Sequence, residues 1–232
     1  MRNRGPQPND DKLFAERHHA ALGAATDDLS WLLERAYGVD SALQLVGNRY
    51  RLNKRQRQAV ARMAAAPAAV ANRWARSLPL ADIPDRQVAI DGFNLLILLE
   101  TALSGGYLFC GKDGTYRDLS SVHGSYKRVR QTQESIHRVG EALRPAAAVT
   151  WYFDAPVSNS GRLKTILREI GEARGYDWTV ELVHNPDRDL VALPDEVVIV
   201  SSDSWVLDHC GAWCNLGREL LEKEENLQLF TC

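Results

Sequence analysis

The acids of the second half of this chain are spaced as a catalytic site would need them. Asp91 follows Val88-Ala89-Ile90, Asp154 follows Ala147–Phe153, Asp187 and Asp189 follow Val180–Val183, and Asp203 follows Glu196–Val200. Each preceding run is short, apolar and of strand type. If the strands pair in parallel, their carboxyl ends share one rim, where open α/β sheets build their sites. Carboxylates held together there repel unless a cation neutralises them. Hard oxygen ligands in that number suit Mg²⁺ or Mn²⁺, which keep waters and bridge phosphate oxygens. Such an ion activates a water and stabilises the charge developing on a phosphodiester. The plainer reading is that aspartates cap the helices following strands.

Stepping along the elements, the run Val88–Asn94 is a strand that passes through Asp91 and Gly92 into the apolar helix Leu95–Leu99, which reaches Glu100. Gly92 permits a sharp turn or a close backbone approach. Tyr107–Cys110 and Thr115–Leu119, joined through Gly111-Lys112-Asp113-Gly114, predict a hairpin. Helices are predicted from about Tyr126 to Leu143 and over Arg162–Arg174, with a short one after Asp203 and a charged one around Arg218–Asn226; Leu227–Thr231 is a last strand. Strands alternating with helices argue for a parallel α/β sheet.

Residues 1–80 read differently. Asp10–Leu22 predicts a helix; Thr26-Asp27-Asp28 caps Leu29–Tyr37, which stops at Gly38; Asp40 caps a helix ended by Gly47; Asn53 caps Lys54 to about Ala66. The prolines of Leu78–Pro84 mark a linker. Thus 1–80 is expected to be a small helical domain and 85–232 an α/β domain. The net charge of −2 is unevenly spread: residues 1–80 carry 13 Lys/Arg against 7 Asp/Glu, and residues 81–232 carry 15 against 23. No acid occurs between Ser41 and Leu80, while Arg49, Arg51, Lys54, Arg55, Arg57, Arg62, Arg73 and Arg76 are basic. A basic module beside an acidic one suggests a polyanion partner for the first; the dull alternative is a solvated helix face.

Smaller signals have plain readings beside functional ones. Ser158, Ser160 and Gly161 open a helix and could present amides to a phosphate, although no Walker lysine follows. Arg117 and Asp118 would pair with each other or reach the rim. His209, Cys210 and Cys214 have poor zinc spacing, so buried free thiols are expected. Trp31 and Trp74 are expected in the helical core, and Trp205 could pack or stack a base. The cysteines Cys110, Cys210, Cys214 and Cys232 form no disulfide framework, which suits a cytoplasmic chain, and apolar runs fall short of the roughly 20 residues of a membrane span.

Together, Ala-Ile-Asp-Gly-Phe-Asn (89–94), Trp-Tyr-Phe-Asp-Ala (151–155) and Val-Ser-Ser-Asp-Ser (200–204) resemble the PIN-like superfamily, NYN type, of metal-dependent nucleases. Closer still, the chain is similar to an uncharacterised prokaryotic family, a domain of unknown function, with a helical N-terminal part and a PIN-like domain. The matching motifs are Tyr37-Gly38, Leu45–Leu52, Asp91–Asn94, Asp113-Gly114, Arg117-Asp118, Asp154-Ala155-Pro156, Ser158, Ser160-Gly161, Pro186-Asp187 and Ser202–Ser204. The resemblance implies a three-layer α/β domain with a mainly parallel sheet, preceded by a small all-α domain. It implies catalytic and metal-binding roles for Asp91, Asp154 and Asp203, a further ligand at Asp187 or Asp189, and an acid at Glu100. Asn94, Ser202 and Ser204 would support them by hydrogen bonds.

The expected activity is Mg²⁺- or Mn²⁺-dependent hydrolysis of RNA, in preference to DNA, or of single strands, leaving by resemblance a 5′-phosphate. Arg117, Arg49, Arg51, Lys54, Arg55 and Arg57 would contact phosphates. No membrane partner is expected, and a homo-oligomer is compatible with the sequence. Two alternatives stand beside this: a non-catalytic nucleic-acid-binding or adaptor protein, and a phosphatase of the haloacid dehalogenase kind, which would need an acid where Phe93 stands.

Overall fold

The structure, a computed structural model, describes residues 4–120 and 124–231; Cys232 lies outside them. Its helices are α1 (Asp10–Leu13), α2 (His19–Glu34), α3 (Val39–Arg49), α4 (Lys54–Met63), α5 (Pro67–Trp74), α6 (Gly92–Leu103), α7 (Thr132–Ala142), α8 (Ser160–Arg174), α9 (Pro186–Val191), α10 (Ser204–His209) and α11 (Leu216–Leu221). Its strands are β1 (Ser77–Leu78), β2 (Gln87–Asp91), β3 (Leu108–Cys110), β4 (Tyr116–Asp118), β5 (Ala148–Asp154), β6 (Trp178–Val183), β7 (Val198–Val200), β8 (Trp213–Cys214) and β9 (Leu229–Phe230).

A six-stranded sheet in the order β1-β8-β7-β2-β5-β6 pairs in parallel throughout. From β2 the chain winds outward through β5 and β6, then returns to the other side of β2 for β7 and β8. Winding therefore reverses between β2 and β7, which opens a crevice at their carboxyl ends. Strand side chains alternate between two cores, as a doubly covered sheet requires. Val88, Ile90, Trp151, Phe153, Val198 and Val200 pack on one side with Leu96, Leu99, Ile136 and Leu167 of α6, α7 and α8. Ala89, Ile199 and Trp213 pack on the other with Leu190 of α9 and Val206 and Leu207 of α10. The result is a three-layer α/β arrangement with a mainly parallel sheet. No described helix is long and apolar enough to cross a membrane.

The second sheet, β4-β3-β9, contains the predicted hairpin, with β9 added in parallel. Phe109 of β3 and Phe230 of β9 complete the core formed by Phe14, which follows α1, and by Leu22, Leu29, Val60 and Met63 of α2 and α4. The helical part is thus closed by the small sheet rather than by itself alone.

Several local expectations change. α2 runs straight through Thr26-Asp27-Asp28, because Thr26 is buried and its hydroxyl donates to the Leu22 carbonyl at 2.9 Å, serving an existing turn instead of capping a new one. α3 continues past Gly47, whose missing side chain makes room for the Arg57 guanidinium; a Cβ there would meet it at 2.4 Å. Asn53 does cap α4, in a capping box with Gln56. The linker at Leu78–Pro84 begins in an edge strand, β1, paired with β8, and α7 starts at Thr132 rather than near Tyr126. Trp31 and Trp74 are 55% and 47% exposed, not core; Trp31 lies beneath Arg35, whose guanidinium carbon is 3.5 Å from the ring centroid.

Candidate active site

Asp91 ends β2 at the crevice and is only 7% exposed. The neighbouring residue across the switch point is Ser201, which continues β7 one step beyond the Ile90–Val200 pairing. Its hydroxyl donates to Asp91 Oδ2 at 2.8 Å and accepts the Asp203 amide at 3.0 Å. Sequence reasoning passed over Ser201 in favour of Ser202 and Ser204, because only the strand register places it opposite Asp91. Gly92 is required by close packing, since a Cβ there would lie 2.3 Å from the Phe153 ring.

Asn94 supports Asp91 through its backbone amide, whose hydrogen bond lowers the Asp91 carboxyl, and its side chain turns to Ser202. Its Oδ1 accepts the Ser202 amide at 2.9 Å and the Ser202 hydroxyl at 3.0 Å, which fixes the loop carrying Asp203. Asp203 caps α10, its Oδ1 accepting the Trp205 and Val206 amides at 2.9 and 3.2 Å. The capping reading of this aspartate is therefore correct, and among the described residues it leaves Oδ2 without a hydrogen-bond donor. Ser204 contributes a carbonyl to Arg73 at 3.3 Å rather than a hydroxyl to the crevice.

The strand β6 is followed by a helix, α9, capped by Asn185 and opened by Pro186. On a helix, residues two apart diverge by roughly 200°, so Asp187 and Asp189 cannot share a face. Burial, with the charges of Asp203 and Asp154, raises the Asp187 carboxyl. Asp189 is exposed and its charge acts on Tyr152 instead. Burial also raises Asp154, at the end of β5. Asp91 is pushed up to about 7, first by burial and then by Asp187 and Asp203, against hydrogen bonds from the Ser201 hydroxyl and the Asn94 amide. Asp91, Asp187 and Asp203 thus sense one another across the crevice, Asp154 acts on Asp187, and none of the four is ion-paired with Lys or Arg among the described residues. Their chemistry, hard oxygen without a counter-charge, fits a divalent cation. No three His, Cys, Asp or Glu side chains among the described residues are gathered closely enough to hold a metal ion; the four acids repel across the rim instead of converging on a point.

Beside them lies a pocket of about 240 Å³ whose lining includes Arg62, Asn94, Asp118, Asp154 and Ser202. Asp118 is a fifth acid here: burial raises its carboxyl, against the Ser120 amide and the charges of Arg62 and Arg4. It does not pair with Arg117, which is buried and forks onto Asp113 at 3.0 and 2.6 Å. Arg117 Nε also donates to the Ser202 carbonyl at 2.7 Å, so this arginine holds the crevice loop in place and is not available to phosphate.

Glu100 is placed away from the crevice. It is fully buried, accepts from Arg4 Nε and the Thr132 hydroxyl at 2.5 Å each, and takes the Tyr126 hydroxyl as well. Three donors hold both of its oxygens in the core, Arg4 neutralising its charge, so Glu100 is a structural acid and not the metal ligand expected. Cys210 and Cys214 are buried free thiols, with burial pushing Cys214 up to about 12.

Much of the N-terminal positive charge is used internally. Arg55 pairs with buried Asp10 at 2.5 and 2.9 Å. Arg57 donates to the Leu52 carbonyl and to Asn48, and Arg76 to the Leu207 and Cys210 carbonyls. Arg73 joins Asp113 and Asp208, and exposed Arg49 stands 3.4 Å from Asp28. Arg51, Lys54 and Arg62 are exposed and lack a carboxylate at ion-pair distance among the described residues. Arg55 and Arg57 are therefore structural, and the basic surface is narrower than composition suggests. The amides of Ser158 and Ser160 are likewise occupied, by the Gly124 and Val157 carbonyls at 3.0 and 3.2 Å.

Fold and site together define a three-layer α/β protein with an acidic crevice at the switch point of its sheet. The chain belongs to the family described as domain of unknown function DUF5616, matched over residues 80–219, and its residues 21–76 match protein of unknown function DUF434. It is 32% identical over 195 residues to the uncharacterized protein MJ0935 of Methanocaldococcus jannaschii, covering 81% of this chain and 94% of that protein. No solved structure matches significantly.

Proposed function

We propose that the protein is a Mg²⁺- or Mn²⁺-dependent nuclease with a PIN-like domain, acting on RNA or other single strands in the cytoplasm. The observation that carries this reading is the set Asp91, Asp154, Asp187 and Asp203 at the switch point without a cationic partner among the described residues. Asp91, Asp154, Asp187 and Asp203 would hold a divalent cation, which would supply an acidified water and offset charge on the phosphodiester. The chain's own residues do the rest. Ser201 fixes one oxygen of Asp91, while Asn94 and Arg117 fix the loop that carries Asp203. Arg62, exposed on the pocket wall, supplies positive charge for a phosphate that the acids would otherwise repel. Trp205, two residues past Asp203 and 44% exposed, offers a ring for a base to stack on.

The purified chain is expected to cleave single-stranded RNA with Mg²⁺ or Mn²⁺, to stop in EDTA, and to lose cleavage in Asp203→Asn with the fold retained. Turnover that survives both EDTA and Asp203→Asn contradicts the assignment. A second reading, a non-catalytic nucleic-acid-binding or adaptor protein, is favoured by the separation of the acids, no three of which are grouped for a metal among the described residues. It predicts binding that is indifferent to metal, and no cleavage across an RNA and DNA panel.

A further inference from the structure

A second pocket, of about 260 Å³, lies where the β5–α8 loop meets the segment before α7. Tyr126, Leu163 and Ile166 give it an apolar floor, and Lys127, Arg128 and Arg162 stand around it. These three cations are exposed, and none has a carboxylate at ion-pair distance among the described residues. Like charges around one concavity raise its potential, and an anion entering it relieves their repulsion. An apolar floor under a cationic rim matches a nucleotide unit, with a flat base and an ionised phosphate.

The pocket is joined to the acidic crevice by a fixed loop. Val157 lines the crevice pocket and Asn159 the basic one. Asn159 follows Asp154 by only five positions, a reach of at most roughly 18 Å. The loop is held by Tyr126 N–H to the Ser158 carbonyl at 3.0 Å, Ser158 N–H to the Gly124 carbonyl at 3.0 Å, and Asn159 Nδ2 to the Tyr126 carbonyl at 3.0 Å. A rim of carboxylates repels a polyanion, so a strand needs anchoring close beside it. We propose that the Lys127–Arg128–Arg162 pocket binds the backbone and one base of a single-stranded nucleic acid, placing a neighbouring phosphodiester at the acidic crevice. The second half of this statement rests on the nuclease reading; the binding itself does not.

The test uses the full chain carrying Asp91→Asn, so that nothing is cleaved, and a short fluorescein-labelled oligouridylate read by anisotropy. Adding Lys127→Ala, Arg128→Ala and Arg162→Ala, all at exposed positions, is expected to weaken binding at least tenfold. With three fewer phosphate contacts, the slope of log affinity against log salt should shrink by about 2. Unchanged affinity and slope in the triple variant, or no binding by the parent, overturns the proposal. Cleavage by the unmodified chain separates the two claims. A strand that binds through the pocket but is never cut sinks the nuclease reading alone, whereas cleavage with a KM indifferent to the three alanines sinks the pocket alone.

Discussion

Asp91→Asn is expected to remove cleavage by about a thousandfold or more, about 4 kcal/mol of transition-state stabilisation, while making the fold more stable above neutral pH. The amide keeps the shape of the side chain and can still accept the Ser201 hydroxyl, but it carries no charge toward Asp187 and Asp203. Stability follows from the direction of the shift. The folded carboxyl titrates at about 7, above the unfolded value of about 3.9. Between those values the folded chain binds more protons than the unfolded one, so stability falls as pH rises through the window. At about 1.36 kcal/mol per unit the loss is at most roughly 4 kcal/mol, and it is complete above the folded value. Urea unfolding across that range should show the fall in the parent and a flatter profile in the variant. An equally steep profile in Asp91→Asn contradicts the burial and repulsion argument. Restored cleavage contradicts the site. Loss of function with gain of stability is the pattern of a functional group kept at the expense of the fold.

Asp113→Ala is expected to be the most destabilising single change. Asp113 is fully buried between Arg73 and Arg117, themselves 3% and 4% exposed. Burial works against its charge, but Arg117 and Arg73 outweigh that and hold its carboxyl well below the usual carboxylate range. Removing it leaves the buried Arg117 guanidinium without a counter-charge and buried Arg73 with Asp208 alone, a loss of about 3–5 kcal/mol. In a chain of this size that lowers Tm by roughly 10 °C. The triad joins α5, the hairpin and the Ser202 loop, so activity should fall along with stability. A variant melting within a degree or two of the parent contradicts this role. The contribution is present above the unfolded pKa and is lost as pH falls through the depressed folded value, opposite in sign to that of Asp91.

These two aspartates show what the sequence could and could not reveal. The strand before Asp91 was legible because Val88-Ala89-Ile90 is apolar, with β-branched Val88 and Ile90, and is followed at once by a helix-forming run. Asp154 and Asp203 were legible for the same reason, each following an apolar strand. Asp113 was not, because a Lys-Asp-Gly turn looks like any exposed hairpin tip, and its arginines come from 40 residues before it and four after it. Arg73 and Arg55 looked like part of a basic surface because their partners Asp113 and Asp10 are remote in sequence. Glu100 sat at the right distance along α6, but local spacing cannot show that Arg4, Tyr126 and Thr132 surround it. The choice between Asp187 and Asp189 depended on α9, which Asn185 and Pro186 announce as cap and first residue. β1 and β8 are two residues each and leave too little pattern to read.

Anomalous scattering from crystals soaked in Mn²⁺ puts the central claim to its most direct test. The expected result is an ion bound by the Asp91 and Asp203 carboxylates at about 2.1 Å, with Asp154 or Asp187 swung in to join them. A crevice without an ion at saturating Mn²⁺, or an ion held elsewhere, would contradict it.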